Sequence, residues 1–411
     1  MKTIIKILLL IMIPSILSAE GGGSIYSRYG AGDVIHYFSA RQLGLGAIGV
    51  ASNQSDYVNF VNPASLSNLK VVRFEAGLNA YGMNIKGNSN SAFYAGTEFS
   101  GFTIGIPLER DLGLAFALGM TPVTSVQYSV VEGHKDDGYA IEYAGSGGIS
   151  KAFISASYRL PFDWAIGLSF NYFTGNIEYS STVDYKYNNN YTTSVFKKIN
   201  NYRGTGFTIG LESGDLSSVF NSEKISNFKL GFVFNYTKNL PTDTTSIIKL
   251  SNTPGVEKTA LIETDLPIRL DAGLSFVWNE NKRVLADYTY SPWENYELGG
   301  KRFDHLRASN RVGLGIEFLG SRSMFADSWE KMDFRVGFSY EATHLKIKGE
   351  NINQVSLHGG FSFPIGMMST FDFGLQVGQR GTENSGLMKE MFYKANFSLS
   401  LGELWFIRIE R

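Results

Sequence analysis

The sequence predicts an all-β fold, a transmembrane antiparallel up-and-down β-barrel of about fourteen strands around an N-terminal plug, or hatch. Three observations predict it. Apolar and polar residues alternate with period two through long tracts. The tracts succeed one another with nothing helical between them. Aromatic side chains gather near tract ends, as in Trp164, Tyr172, Trp278, Tyr288, Tyr290, Trp293, Tyr393 and Trp405. A girdle at lipid-headgroup level has that placement.

Composition narrows the function. Lys and Arg number 37 against 38 Asp and Glu, for a net charge of -1. No global field draws the chain to nucleic acid or an anionic surface. Cysteine is absent, which excludes a disulfide framework, a thiolate metal site, a Cys nucleophile and a lipidated-Cys anchor. Charged residues are 18%, against roughly 25% in ordinary soluble proteins.

The chain opens on Met1, Lys2 and Lys6, then an apolar run from Ile7 to Leu17 broken only by Pro14 and Ser15. Ser18 and Ala19 follow as small residues. Residues 1–19 read as a secretion signal cut after Ala19, too short to span a bilayer. No later apolar run is long enough for a spanning helix. An exported chain of this kind is soluble outside the inner membrane or built into the outer membrane.

Residues 20–70 lack the long alternation and are rich in Gly and Ser. From residue 71 the alternation takes over, so we expect a plug at 20–70 and a barrel at 71–411. Phe371 to Gly378 places Phe, Phe, Leu and Val on one face and Asp, Gly, Gln and Gly on the other. Tyr393 to Gly402 and Met332 to Glu341 repeat the split. Period two sends alternate side chains to opposite faces of a strand. Soluble strands average about 5–6 residues, whereas a tilted membrane strand needs about 9–11. The tracts are of the longer kind. Links at 108–111, 161–162, 279–282 and 365–368 are short. Those at 132–146, 180–202 and 239–264 are long and read as exposed outer loops. The links at 214–226 and 319–330 are too long for tight turns and have no account in the sequence.

A barrel of about fourteen strands encloses more space than its wall side chains fill, and residues 20–70 are bulky enough to occupy it. A periplasmic extension is the alternative for that segment. Within it, Gly44-Leu45-Gly46-Ala47-Ile48-Gly49 matches a dinucleotide fingerprint but lacks the strand and helix that motif needs. Tight turns explain its glycines.

The run Gly44 to Gly49, followed by Asn59-Phe60-Val61-Asn62-Pro63-Ala64-Ser65-Leu66, resembles the hatch of the FadL/TodX outer-membrane transport family. Phe102 to Leu108, then Gly113 and Gly119, resembles its second and third strands. Asp265-Leu266-Pro267 through Ser275, then Leu285 to Tyr288 and Ser291-Pro292-Trp293, resembles its middle strands. Tyr26 to Gly30 and Gly145 to Ser150 resemble a divergent branch of that family, and the chain ends Ile409-Glu410-Arg411 where an aromatic end is expected. The resemblance implies a fourteen-stranded outer-membrane barrel with a plug. It implies passage of hydrophobic molecules, of the long-chain fatty acid or hydrocarbon class, with exit sideways into lipid at a kinked third strand.

Candidate ligand-path or gating residues are therefore Asn62, Pro63 and Ala64 in the plug, and Gly119 and Pro122 in the third tract. Pro cannot donate to a ladder and Gly packs nothing, so Gly119-Met120-Thr121-Pro122 favours a bulge or break. The other reading puts Pro122 beyond the membrane, near a loop. Charges on the polar faces, such as Arg269, Asp287, Arg311, Glu317 and Arg335, read first as wall-to-plug ion pairs. The five histidines have no ligand spacing, and neither G-x-S-x-G nor H-E-x-x-H occurs. No catalytic residue, cofactor or metal is expected, and no nucleic acid. Expected partners are a hydrophobic small molecule and outer-membrane lipid, with protein partners at the outer loops. The alternative function is a barrel of the same shape serving secretion or surface assembly.

Overall fold

The computed structural model describes residues 22–52, 54–87, 91–134, 138–185, 192–250, 255–323, 325–366 and 368–404. The expected secretion signal at 1–19, residues 186–191 and Trp405 lie outside them. The first strand, β1, is Asp33–Val34, and a short helix, α1, is Ala40–Gly44. A 3-10 turn covers Pro63–Asn68. The wall then begins with β2 (Val72–Lys86), β3 (Ser91–Glu109), β4 (Leu114–His134), β5 (Tyr139–Arg159), β6 (Ala165–Asp184), β7 (Ser194–Glu212) and β8 (Ile225–Thr237). Next come β9 (Leu240–Leu250), β10 (Val256–Asp265), β11 (Arg269–Trp278), β12 (Lys282–Ser291) and β13 (Glu297–Leu298). The chain finishes with β14 (Ser309–Phe318), β15 (Asp333–Ile347), β16 (Glu350–Pro364), β17 (Thr370–Gly381) and β18 (Lys389–Glu403).

Fourteen of these strands make a closed antiparallel ring. Closure is the β18–β2 ladder, from Lys389↔Lys86 to Glu403↔Val72. β8 pairs with β11, and β12 with β14, so β9, β10 and β13 stand outside the ring order. β9 and β10 form a hairpin that continues β7 beyond the ring.

The barrel is inside out relative to a soluble sandwich. Leu168, Val336 and Leu357 are 55%, 58% and 66% exposed on the outer face. Glu317, Arg335 and Asp271 on the inner face are 0%, 1% and 1% exposed. Leaving so many large apolar side chains bare is costly in water and favourable in lipid. Trp164, Tyr172, Trp278, Tyr288 and Tyr393 face outward in a partial girdle. Trp293 does not belong to it: it is buried, its ring 4.8 Å from that of His344.

The structure revises the loops. Strands β4 and β5 are each 21 residues long, β6 is 20 and β7 is 19. They rise roughly ten residues past the span a membrane needs. Most of 132–146 and 180–202 is therefore strand, and 239–264 is largely the β9–β10 hairpin. Beyond the lipid both faces of a ribbon are wet, so alternation fades while pairing continues. The two unexplained links carry their own hydrogen bonds. Asp215 accepts from the amides of Ser217 (2.8 Å), Asn227 (3.2 Å) and Phe228 (3.0 Å). Ser321 N–H donates to the Glu330 carbonyl at 2.7 Å.

Candidate functional site

The interior is occupied by the chain ahead of β2. α1 lies on β15 to β18, and the 63–68 turn lies on β3 to β7. Close approach depends on glycines in the wall. A Cβ on Gly337 would sit 2.4 Å from the Gly46 nitrogen. One on Gly374 would sit 2.3 Å from the Ala40 carbonyl oxygen. Some polar wall positions reach in to the segment's backbone. Asp287 accepts from the Gly49 and Val50 amides at 2.6 and 2.9 Å. Glu75 accepts from Val58 N–H at 2.9 Å. Arg311 donates to the carbonyls of Gly46 and Ala47.

At the end where β2 begins, hereafter the turn end, an ion cluster fixes the segment. Glu317 accepts from Arg41 at 3.0 Å, Arg335 at 2.8 Å, Arg283 at 2.6 Å and Gln54 at 2.6 Å. Arg41 also lies 3.2 Å from Asp56. A buried carboxylate surrounded by guanidinium forks is strongly held. Losing one member would leave an uncompensated charge.

Asn62, Pro63 and Ala64 are brought together as an anchor. The Asn62 side chain accepts from Ala64 N–H at 3.0 Å, capping the turn. It donates to the carbonyls of Val50 (2.8 Å) and Leu211 (3.0 Å). Pro63 sits over Gly167 and Gly210. All three are fully or nearly buried. They tie the segment to β6 and β7.

Gly119 and Pro122 lie elsewhere, on β4 at an interruption of the wall. The β3–β4 ladder stops at Phe102↔Met120. Beyond it, β3 pairs only with β2, and β4 pairs with β5. Both strands bulge at this level. The β2–β3 register slips at Ser100, next to Gly101 with φ +119°. The β4–β5 register slips between Pro122 and Thr124. Thr124 Oγ1 accepts the Ile149 amide at 3.2 Å in place of a ladder bond. The inner segment covers the opening. β1 pairs with Thr124 and Ser125, and Ile35 N–H donates to the Val123 carbonyl at 2.9 Å. Side chains cross it as well: Ser125 to Glu98 at 3.1 Å and Tyr94 OH to the Ser129 carbonyl at 3.3 Å. Pro122 thus sits well inside a long strand, not at a loop.

Two cavities flank the partition formed by Val34 to His36. The first, about 100 Å³, is charged, with Arg380, Glu341, Lys394 and His344 in its wall. The second, about 130 Å³, begins at Pro122 and Val123. Its wall is mainly apolar, with Phe60, Val61, Phe173 and Leu266, and it also receives Lys151. Above both, Tyr26, Val126, Ile149, Tyr202, Trp293 and Ile352 pack into one apolar cluster across the far, or loop, end of the interior.

Most inward charges are paired, as in Lys229 with Glu212 at 3.0 Å and Arg380 with Asp33 at 2.9 Å. His358 and Ser339 do meet, at 2.8 Å. The other ring nitrogen of His358 bonds the Leu43 carbonyl at 2.8 Å, and both side chains are buried under α1. With a carbonyl where a triad carries a carboxylate, the pair serves as a tether. Sequence reasoning missed the wall glycines and Lys151. Each stands at an inward position of an alternating tract, a signal that marks the face but not what it touches.

The sequence matches the family described as BamG over residues 1–410. No curated protein matches it. Among solved structures it is similar to the CymD monoaromatic hydrocarbon channel, with TM-score 0.60 and 15% identity over 90% of this chain and 99% of that one. It is similar to the Ralstonia pickettii toluene transporter TbuX, with TM-score 0.57 and 16% identity over 89% and 98%. A Pseudomonas aeruginosa FadL homologue matches with TM-score 0.60 and 11% identity over 90% and 99%.

Proposed function

Since the chain belongs to the BamG family and is an outer-membrane β-barrel of the FadL-type fold, we propose that it passes small hydrophobic molecules between its interior and the surrounding lipid. The observation that carries this reading is the coincidence of a cavity, apolar over most of its wall area, with a break in the wall. The cavity reaches Pro122 and Val123, and the β3–β4 ladder stops at Met120. In lipid an interrupted ladder is tolerated only where its groups find other partners or line a cavity. Here β1 and the hydroxyls of Tyr94 and Ser27 supply such partners on β4. Size favours the small end of the substrate range. A cavity of about 150 Å³ accepts benzene, and 130 Å³ suits one ring better than a long acyl chain. Asn62, Pro63 and Ala64 act as the fixed floor, and Gly119 to Pro122 as the yielding edge.

The test is entry of labelled toluene into vesicles carrying the protein, with Pro122→Val as the variant. Restoring the amide at 122 tightens the strand, and entry should fall several-fold. Equal entry in the variant removes the lateral route. Entry no faster than in protein-free vesicles removes transport altogether.

A second reading is a component of secretion or surface assembly. The packed apolar cluster across the loop end favours it, as does the projecting β9–β10 hairpin, where Ile248 and Leu261 are exposed. Crosslinking from that hairpin in intact membranes tests it. Reproducible capture of one protein, lost when residues 240–264 are shortened, supports this reading.

A further inference from the structure

The second cavity contains a cation that the barrel does not neutralise. Lys151 projects inward from β5, on the same face as Phe153, Ser155 and Ser157. Among the described residues it has neither a carboxylate within 4.0 Å nor a hydrogen-bond acceptor. The nearest charged pair in the cavity is already complete. Asp271 accepts from Arg269 at 2.8 and 2.9 Å, from Thr289 at 2.6 Å and from Asn235 at 3.3 Å. What faces the ammonium is aromatic: the rings of Phe60 and Phe153, each with its centroid 5.9 Å away. That distance is the outer limit of a useful cation–π contact, about 6 Å.

A partly buried ammonium beside apolar walls is costly unless an anion or a dipole meets it. Lys229, another inward lysine, has its acid at 3.0 Å. Lys151 differs in lining an open space instead of the plug contact. A ligand that completes this site brings two things: a flat apolar body for Phe60, Val61, Phe173 and Leu266, and an anionic head for Lys151.

We propose that Lys151 selects small aromatic or aliphatic carboxylates, about one ring in size, over neutral hydrocarbons in the cavity beside Pro122. The inference rests on the cavity being a ligand site, as proposed above, and specifies its ligand. Lys151 would hold the carboxylate by a charge-assisted hydrogen bond, while the ring replaces water against the apolar wall.

The test measures binding of radiolabelled benzoate and toluene to the intact, detergent-solubilised protein, with empty micelles subtracted. Wild type and Lys151→Met are compared, with Lys151→Arg as the conservative variant. Heat-modifiable gel migration certifies that each variant is a closed barrel. The expected result is a fall of about tenfold or more in the benzoate-to-toluene affinity ratio for Lys151→Met. Lys151→Arg should keep most of the preference, and added salt should weaken benzoate more than toluene. An unchanged ratio in Lys151→Met overturns the proposal. So does a wild type that binds toluene and not benzoate, while leaving the cavity as a hydrocarbon site. Binding of neither probe above micelle background overturns the ligand site itself and this inference with it.

Discussion

The two halves of the interior are built on opposite terms. At the turn end, Glu317 is held by three arginines and a glutamine, and the 63–68 turn is capped and pinned between strands. At the β3–β4 interruption, a two-residue strand and a few side chains stand in for a ladder. Buried polar atoms without a hydrogen-bond partner occur in both regions: Gln54 Oε1 and Arg283 Nε at the first, Ser100 Oγ and Thr121 Oγ1 at the second. His36 Nε2 is 3.2 Å from Glu341 yet makes no aligned hydrogen bond. The contrast teaches where the molecule is fixed and where it is free to yield. A plug that moved as a whole would have to break the ion cluster. A local shift of residues 33–36 would leave that cluster intact and break β1, the Ile35 bond to Val123 and the Asp33–Arg380 ion pair.

The largest expected effect is therefore at the fixed end. Glu317→Gln leaves Arg41, Arg283 and Arg335 facing one another without their shared acid. Breaking a buried ion cluster from one side costs about 3–5 kcal/mol. The heat-modifiability midpoint should drop well below wild type, and bilayer conductance should appear. A variant as stable and as closed as wild type would erase the distinction between the two halves.

A smaller effect is expected where the segment touches the wall through glycine. In Gly337→Val the new Cβ would press on the Gly46 backbone, a contact of 2.4 Å with an atom that cannot swing away. Overpacking of this kind costs about 1–3 kcal/mol. Limited proteolysis within 40–50 should become faster. Gly359→Ala is the control, because its Cβ meets only the Arg335 carbonyl at 3.9 Å. Equal protection in both variants would mean that the segment is not wedged against β15.

The smallest effect concerns the turn end outside the wall. Burial works to raise the Asp215 pKa, but the amides of Ser217, Asn227 and Phe228 outweigh it and hold the value below the usual carboxylate range. Its folded value thus lies under that of the unfolded chain. The group's contribution is present above about pH 4 and is lost as pH falls through the lowered value. An NMR titration should give a depressed midpoint, with the Ser217 and Phe228 amide shifts following it. An ordinary midpoint would mean that this connection is looser than the ion cluster inside the barrel.

Much of the wall is legible in the amino-acid sequence. The alternation of Phe371 to Gly378 and of Met332 to Glu341 depends only on neighbours along the chain, and it reports which face meets lipid. The paired charges are expected as a class, since inward Arg and Asp need partners. The loop boundaries are not legible. Residues 180–184 and 194–199 extend their strands into water, where no face has to be apolar. Nor is the role of Trp293, because an aromatic at a strand end suits a girdle and a packed mouth equally.

What the chain determined by itself is local and periodic: strands, their two faces, and a break signalled by Gly119 and Pro122. Only the closed barrel decided which side chains meet. Arg41 and Glu317 are separated by 276 positions, and no repeat in the sequence links them. The bulges at Ser100 and Val123 matter because β3 and β4 lie side by side. Among the described residues Lys151 is unpaired because closure carries every nearby acid to another partner. Periodicity encodes orientation, a property of each strand alone, whereas contact across the interior depends on register accumulated around the whole ring.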